Sequence, residues 1–120
     1  MFSLGTTDRF HIYNGTCDMR KSFDGLCGIV KNELGWDPCS GEVFVFVSKS
    51  KDKIKLLHWV GSGFVLYYKR LEKGRFELPR YDESVGAYKI SYAQVVMLID
   101  GINITNIKSK ERLNQTKDCA

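Results

Sequence analysis

The chain has 120 residues, 43% hydrophobic and 27% charged, with a formal net charge of +4. That length suits one domain able to bury roughly two-thirds of the surface its unfolded form exposes, and the composition excludes wholesale disorder. The longest apolar runs, Val43–Val47 and Val95–Ile99, fall far short of the roughly 20 residues a membrane-spanning helix requires, which excludes a spanning role.

In chain order, the N-terminus lacks a basic segment followed by a long apolar stretch, so the default expectation is a cytoplasmic protein. Arg9–Tyr13 alternates weakly and ends at the turn signal Asn14-Gly15, predicting a short first strand. A first helix is predicted from a Ser22 cap, with Asp24 in its first turn. Phe23, Leu26, Cys27, Val30 and Leu34 are its buried face, and Gly35 and Pro38 end it. Val43–Val47 is all β-branched or aromatic and reads as a central strand buried on both faces. Ile54–Val60 follows through the polar link Ser48–Lys53, and Phe64–Leu71 and Arg75–Leu78 through Gly-containing links, giving a four-stranded meander closed by Pro79. Ser91 and Gln94 form an S-x-x-Q capping box for a second helix, with Ile90 and Val95 as its staple. Its predicted buried face is Tyr92, Val95, Val96 and Ile99.

The fold class expected is therefore α+β: an antiparallel β-meander of about four to five strands packed with two α-helices. Residues 1–107 form the single domain, and 108–120 a polar, mobile C-terminal tail.

Catalytic and metal motifs are hard to find. The four cysteines, Cys17, Cys27, Cys39 and Cys119, contain no C-x-x-C pair, so free thiols and no structural metal are expected. His11 and His58 lie in no nucleophile or metal motif, and His58 reads as a sheet histidine with a structural hydrogen bond. Gly61-x-Gly63 is too short for a dinucleotide fingerprint and sits between strands, so no cofactor is expected. A metal-dependent nuclease needs convergent carboxylates, which a sequence by itself does not reveal.

The charge is unevenly placed. Residues 49–80 hold nine Lys/Arg against three acids, or +6, whereas 1–48 and 81–107 each come to −2 and 108–120 to +2. Such a patch attracts polyanions, although lysines guarding a sheet edge give the same pattern. Interleaved aromatics add a second signal, because a sheet offering rings and cations can stack bases and neutralise phosphates. The candidate DNA contacts are Lys55, Lys69, Arg70, Lys73 and Arg75, assisted by Arg20 and Lys21. The candidate aromatic surface is Trp59, Tyr67 and Tyr68. Strand alternation puts Tyr67 with Lys69 on one face and Tyr68 with Arg70 on the other, so only one of these pairs can face an open groove.

Three blocks carry a resemblance: Asp18-Met19-Arg20-Lys21-Ser22-Phe23-Asp24-Gly25-Leu26, Gly41-Glu42-Val43-Phe44-Val45-Phe46, and Lys55-Leu56-Leu57-His58-Trp59 running on into Gly63–Gly74. Together they resemble the TnpB-type accessory protein encoded by the second open reading frame of insertion sequences of family sixty-six. The likeness runs from about Phe2 to Pro79 and is looser beyond. It implies a role in moving a bacterial element alongside a separate transposase, and the leading expectation is a non-catalytic accessory protein that binds DNA at the element ends, the transposase, or both. The transposase would carry the catalytic acids. Arg20 and Lys21 precede a helix start where a phosphate could bind, but Asp18 and Arg20 could equally be a structural ion pair.

Overall fold

The computed structural model describes residues 4–5, 8–78 and 86–100. The expected tail, 108–120, and Pro79, Arg80 and Cys119 lie outside the described residues. Five strands form one sheet: β1 (Phe10–Thr16), β2 (Val43–Val47), β3 (Lys53–Trp59), β4 (Phe64–Arg70) and β5 (Ala87–Ile90), in the order β4-β3-β2-β1-β5. Helix α1 (Phe23–Gly28) widens into a π-helical stretch (Ile29–Glu33), and α2 (Tyr92–Ile99) closes the described chain. The class is α+β, as expected, but the sheet is mixed. β1 runs parallel to β2, because the chain returns from β1 by a helical crossover, the connection a parallel pair requires. No helix among the described residues is long and apolar enough to cross a membrane.

β2 is the central strand predicted from its composition, and all five of its residues are buried. Alternation sends Val43, Val45 and Val47 to one face, where they join Phe10, Ile12, Ile54, Leu56 and the α2 residues Val95 and Leu98. Phe44 and Phe46 point the other way, against Leu26, Ile29, Val30 and Leu57. Each face is thus covered by one helical segment, which is why β2 has no polar residue.

Several local expectations change. Arg75–Leu78 is not a strand: after Gly74, at φ +79°, the chain turns across the β2–β3 loop, and Phe76 is inserted into the α2-side core at 1% exposure. β4 is therefore followed by a plug rather than a fourth meander strand. The fifth strand comes instead from Ala87–Ile90, antiparallel to β1, a segment too short for its alternation to be read. Ser22 makes no side-chain cap hydrogen bond, and Phe23 is 42% exposed rather than buried. The π-helical stretch follows, marked by Leu34 N–H donating to Ile29 O at 3.1 Å, and Ile29 and Val30, at i+3 and i+4 from Leu26, lie with it in the core. Gly35 ends the segment at φ +69°, as its C′ position predicts.

At α2 the capping box is complete: Gln94 N–H donates to Ser91 Oγ at 3.1 Å, and Ser91 N–H donates to Gln94 Oε1 at 2.9 Å. Leu98 is buried on this helix, whereas Val96, expected inside, is 38% exposed. Ser91→Ala should lower the unfolding free energy by about 1 kcal/mol, read as a shift of the urea midpoint at unchanged slope.

Candidate nucleic-acid interface

Strand register places the chemistry at the two ends of the sheet. Loop 48–52 joins β2 to β3 at one end, where β4 also finishes, because Lys53 pairs with Arg70 across β3 and β4. The segment after β4 lies against this loop: Leu71 N–H donates to Asp52 O at 2.7 Å, and Phe76 N–H to Lys51 O at 2.6 Å. Lys51 holds that carbonyl in place from the left-handed region, at φ 64°, an uncommon conformation for a residue other than glycine. Residues 48–53 and 70–76 are thus drawn together. They bring six cations, Lys49, Lys51, Lys53, Arg70, Lys73 and Arg75, against Asp52 and Glu72, a local +4.

Two of these cations are held by the two acids. Lys53 Nζ lies 3.2 Å from Asp52 Oδ1 and Arg70 Nη2 3.1 Å from Glu72 Oε2. Lys49, Lys73 and Arg75 are exposed and form no ion pair among the described residues. Exposed pairs of the Arg70–Glu72 kind contribute little to stability and exchange readily for phosphate.

One rung inward on the same face, Lys55 pairs with Tyr68. Lys55 is 5% exposed, and its Nζ donates to Met19 O at 2.8 Å and to Lys21 O at 2.6 Å. The same ammonium stands 4.6 Å from the Tyr68 ring centroid, within cation–π range. It therefore fastens loop 18–21 to the sheet beside Tyr68, a structural task rather than a surface contact. Tyr68 itself is 52% exposed, so of the two alternating pairs, Tyr68 with Arg70 is the open one. Lys69 donates from Nζ to Ile99 O at 2.7 Å, satisfying a carbonyl at the end of α2, and Tyr67 packs against the α2-side core. Trp59 meets Phe64 edge to face at 4.9 Å, away from the basic end.

In loop 18–21 the ion-pair reading of Arg20 holds. Arg20 Nε and Nη2 donate to the Asp18 carboxylate at 2.8–3.1 Å. This hydrogen bond holds the Asp18 carboxyl at about 2, below its ordinary 3.8. A depressed acid contributes stability that is complete above its unfolded value and is lost as pH falls from 3.8 toward about 2. Asp18→Asn should remove that part of the acid limb, as seen in unfolding curves between those limits. Arg20 nonetheless remains 91% exposed on its side chain, and Lys21 beside it is exposed.

The structure thus brings Arg20, Lys21, Tyr68 and Arg70 to the Lys55 side of the basic end, places Lys73 and Arg75 in the segment docked on loop 48–52 at that same end, and leaves Lys69, Tyr67 and Trp59 outside that group. It adds Lys49, Lys51 and Lys53. Their charge is plain in the sequence, but the docking of 70–76 onto their loop is not. The far end of the sheet carries a separate group that sequence reasoning missed: buried His11 is paired through Nε2 with Glu42 Oε1 and has the Trp36 ring edge-on at 4.3 Å. His58 Nε2 donates to Gly41 O at 3.1 Å, the structural bond expected of a sheet histidine. Asp8, Arg9, Ser40, Gly41 and Glu42 line a shallow depression of about 180 Å³ there. Cys17, Cys27 and Cys39 are free thiols. Among the described residues, no three His, Cys, Asp or Glu side chains converge as a metal site would require.

The family described as IS66 Orf2 like protein matches residues 8–109. The chain is 35% identical over 100 residues to the uncharacterized protein y4jC of Sinorhizobium fredii, covering 83% of this chain and 84% of that protein. It is 37% identical over 103 residues to the uncharacterized protein y4hO of the same organism, covering 86% and 88%. No solved structure matches. The matched region includes both the Lys55 anchor and the basic loops, and the chain belongs to the IS66 Orf2-like family of transposition-associated accessory proteins.

Proposed function

We propose that this accessory protein is non-catalytic and acts in insertion-sequence transposition by binding DNA of the element through the basic end of its sheet. The observation that supports this most is the joining of two lysine- and arginine-bearing loops at the end of the sheet where Lys55 also anchors loop 18–21, which brings exposed cations together at that end. Lys73, Arg75, Lys49, Arg70, Lys21 and Arg20 contact phosphate, and Lys55 holds the frame. Catalysis resides in the separate transposase. Electrophoretic shifts with duplex terminal inverted repeats across a salt series test the reading. Affinity should fall steeply and linearly on a log–log plot as salt rises, through counterion release. No shift even at low salt would remove the DNA contact.

A second reading, a protein-only module that recruits or stabilises the transposase, is favoured by the opposite end of the sheet. There Trp59 adjoins Val60, 50% exposed, at the β3–β4 turn, and tryptophan is enriched among the residues that anchor protein contacts. Co-purification with the transposase that survives nuclease treatment would support it, and loss of the complex on that treatment would favour bridging by DNA.

A further inference from the structure

We propose that the basic end takes single-stranded DNA in preference to duplex, with Tyr68 as the platform on which an unpaired base stacks. This rests on the DNA-binding reading above and specifies the form of DNA. Tyr68 is the most exposed large hydrophobic side chain among the described residues, at 52%. It lies in the middle of a regular strand rather than in a loop. Its ring is positioned by a cation that is not itself available to a ligand: the Lys55 ammonium is buried and held by two backbone carbonyls.

A ring fixed in this way loses little freedom when a second aromatic surface covers it, which favours stacking. Two residues along β4 on the same face is Arg70, and beside it across the rung is Lys53. A repeat of two residues along a strand spans roughly 7 Å. Cations therefore lie close to the ring, where the phosphates flanking a stacked base would run. The loop held by the same Lys55 ammonium carries Lys21 and the outward-facing Arg20. An exposed ring with cations close by is the arrangement by which sequence-tolerant single-strand binders work. Paired bases in a duplex keep their faces inside the stack. They leave only phosphates and groove edges for the same surface, so duplex would use the cations and leave the ring idle.

The test is fluorescence anisotropy of the full chain against a labelled mixed-sequence single strand of about 20 nucleotides and its duplex, at matched salt. The same titrations are made with Tyr68→Phe, Tyr68→Leu and Tyr68→Ala, after circular dichroism has confirmed folding. Wild type should bind the single strand more tightly. Leu and Ala should lower the single-strand-to-duplex affinity ratio about tenfold, within the usual range for one stacked base. Phe should keep the ratio within about twofold, because the stacking face is retained. Should the leucine variant keep the wild-type ratio, or wild type bind both forms equally, the platform is overturned while the duplex reading stands. Absence of binding to either form at low salt overturns both.

Discussion

Lys55→Met is expected to lower the unfolding free energy by about 2–3 kcal/mol. Methionine keeps most of the unbranched stem, so the β3 packing beside Phe46 and Leu57 is retained and no large cavity opens. What is lost is the ammonium that bonds the Met19 and Lys21 carbonyls and faces the Tyr68 ring. Hydrogen bonds to a charged group contribute about 1.5–3 kcal/mol each. Two such losses are partly offset because the variant no longer desolvates a cation. Urea unfolding should show the midpoint shift at unchanged slope. DNA titrations across a salt series supply an independent check on the role of Lys55. A buried ammonium neutralises no phosphate, so the logarithmic salt slope should match wild type even where affinity drops because loop 18–21 has come loose. A slope smaller by about one would mean that Lys55 touches phosphate after all.

Much of this architecture was legible because it rests on local chemistry. The run Val43–Val47 announces a strand buried on both faces, and the Ser91/Gln94 box specifies the start of α2 within a residue. Both are found. Sheet topology was not legible. Short glycine links favour hairpins, and they do connect β3 to β4, but nothing in Arg9–Tyr13 says that it lies parallel to β2 on the far side from β3. Arg75–Leu78 misled for a physical reason: Phe76 and Leu78 are spaced like the inward positions of a strand, yet the same spacing serves a chain laid across the end of a core. The α1 region misled for another, since Phe23 shares helical spacing with Leu26 but opens the first turn, where it stays 42% exposed, while Ile29 at i+3 from Leu26 takes its place in the core.

At the candidate interface, sequence alternation correctly limited the open surface to one of two pairs, and the register identifies it as Tyr68 with Arg70. It could not distinguish a lysine that meets solvent from one that meets a carbonyl. Lys55 and Lys69 contribute to the same charge run as Lys49 and Lys73, but the first two spend their ammonium groups on backbone oxygens brought from 34–36 and 30 residues away. Those partners depend on tertiary packing. The count of cations therefore overstated some positions, while loop docking raised the importance of others. The outcome is a different set of cations, without Lys55 and Lys69 and with Lys49, Lys51 and Lys53 added.

The triple substitution Lys49→Gln, Lys73→Gln and Arg75→Gln should weaken duplex binding on the order of a hundredfold or more near 0.1 M salt, and reduce the salt slope by about 2.7. All three side chains are exposed, so their replacement should move stability by less than about 0.5 kcal/mol each. The magnitude follows from counterion release, in which each lost phosphate contact removes about 0.9 from the slope. Position supplies the control. Arg9 precedes β1 at the opposite end of the sheet, and Lys89 lies on β5 at the opposite edge from β4. Arg9→Gln with Lys89→Gln removes two of the same charges from the molecule but none from the basic end, and should leave the slope unchanged. If both sets of variants lower affinity in proportion to charge removed, binding follows net charge rather than the surface formed by the docked loops. If neither does, these cations serve solubility and the sheet edge, and the accessory role rests on protein contact.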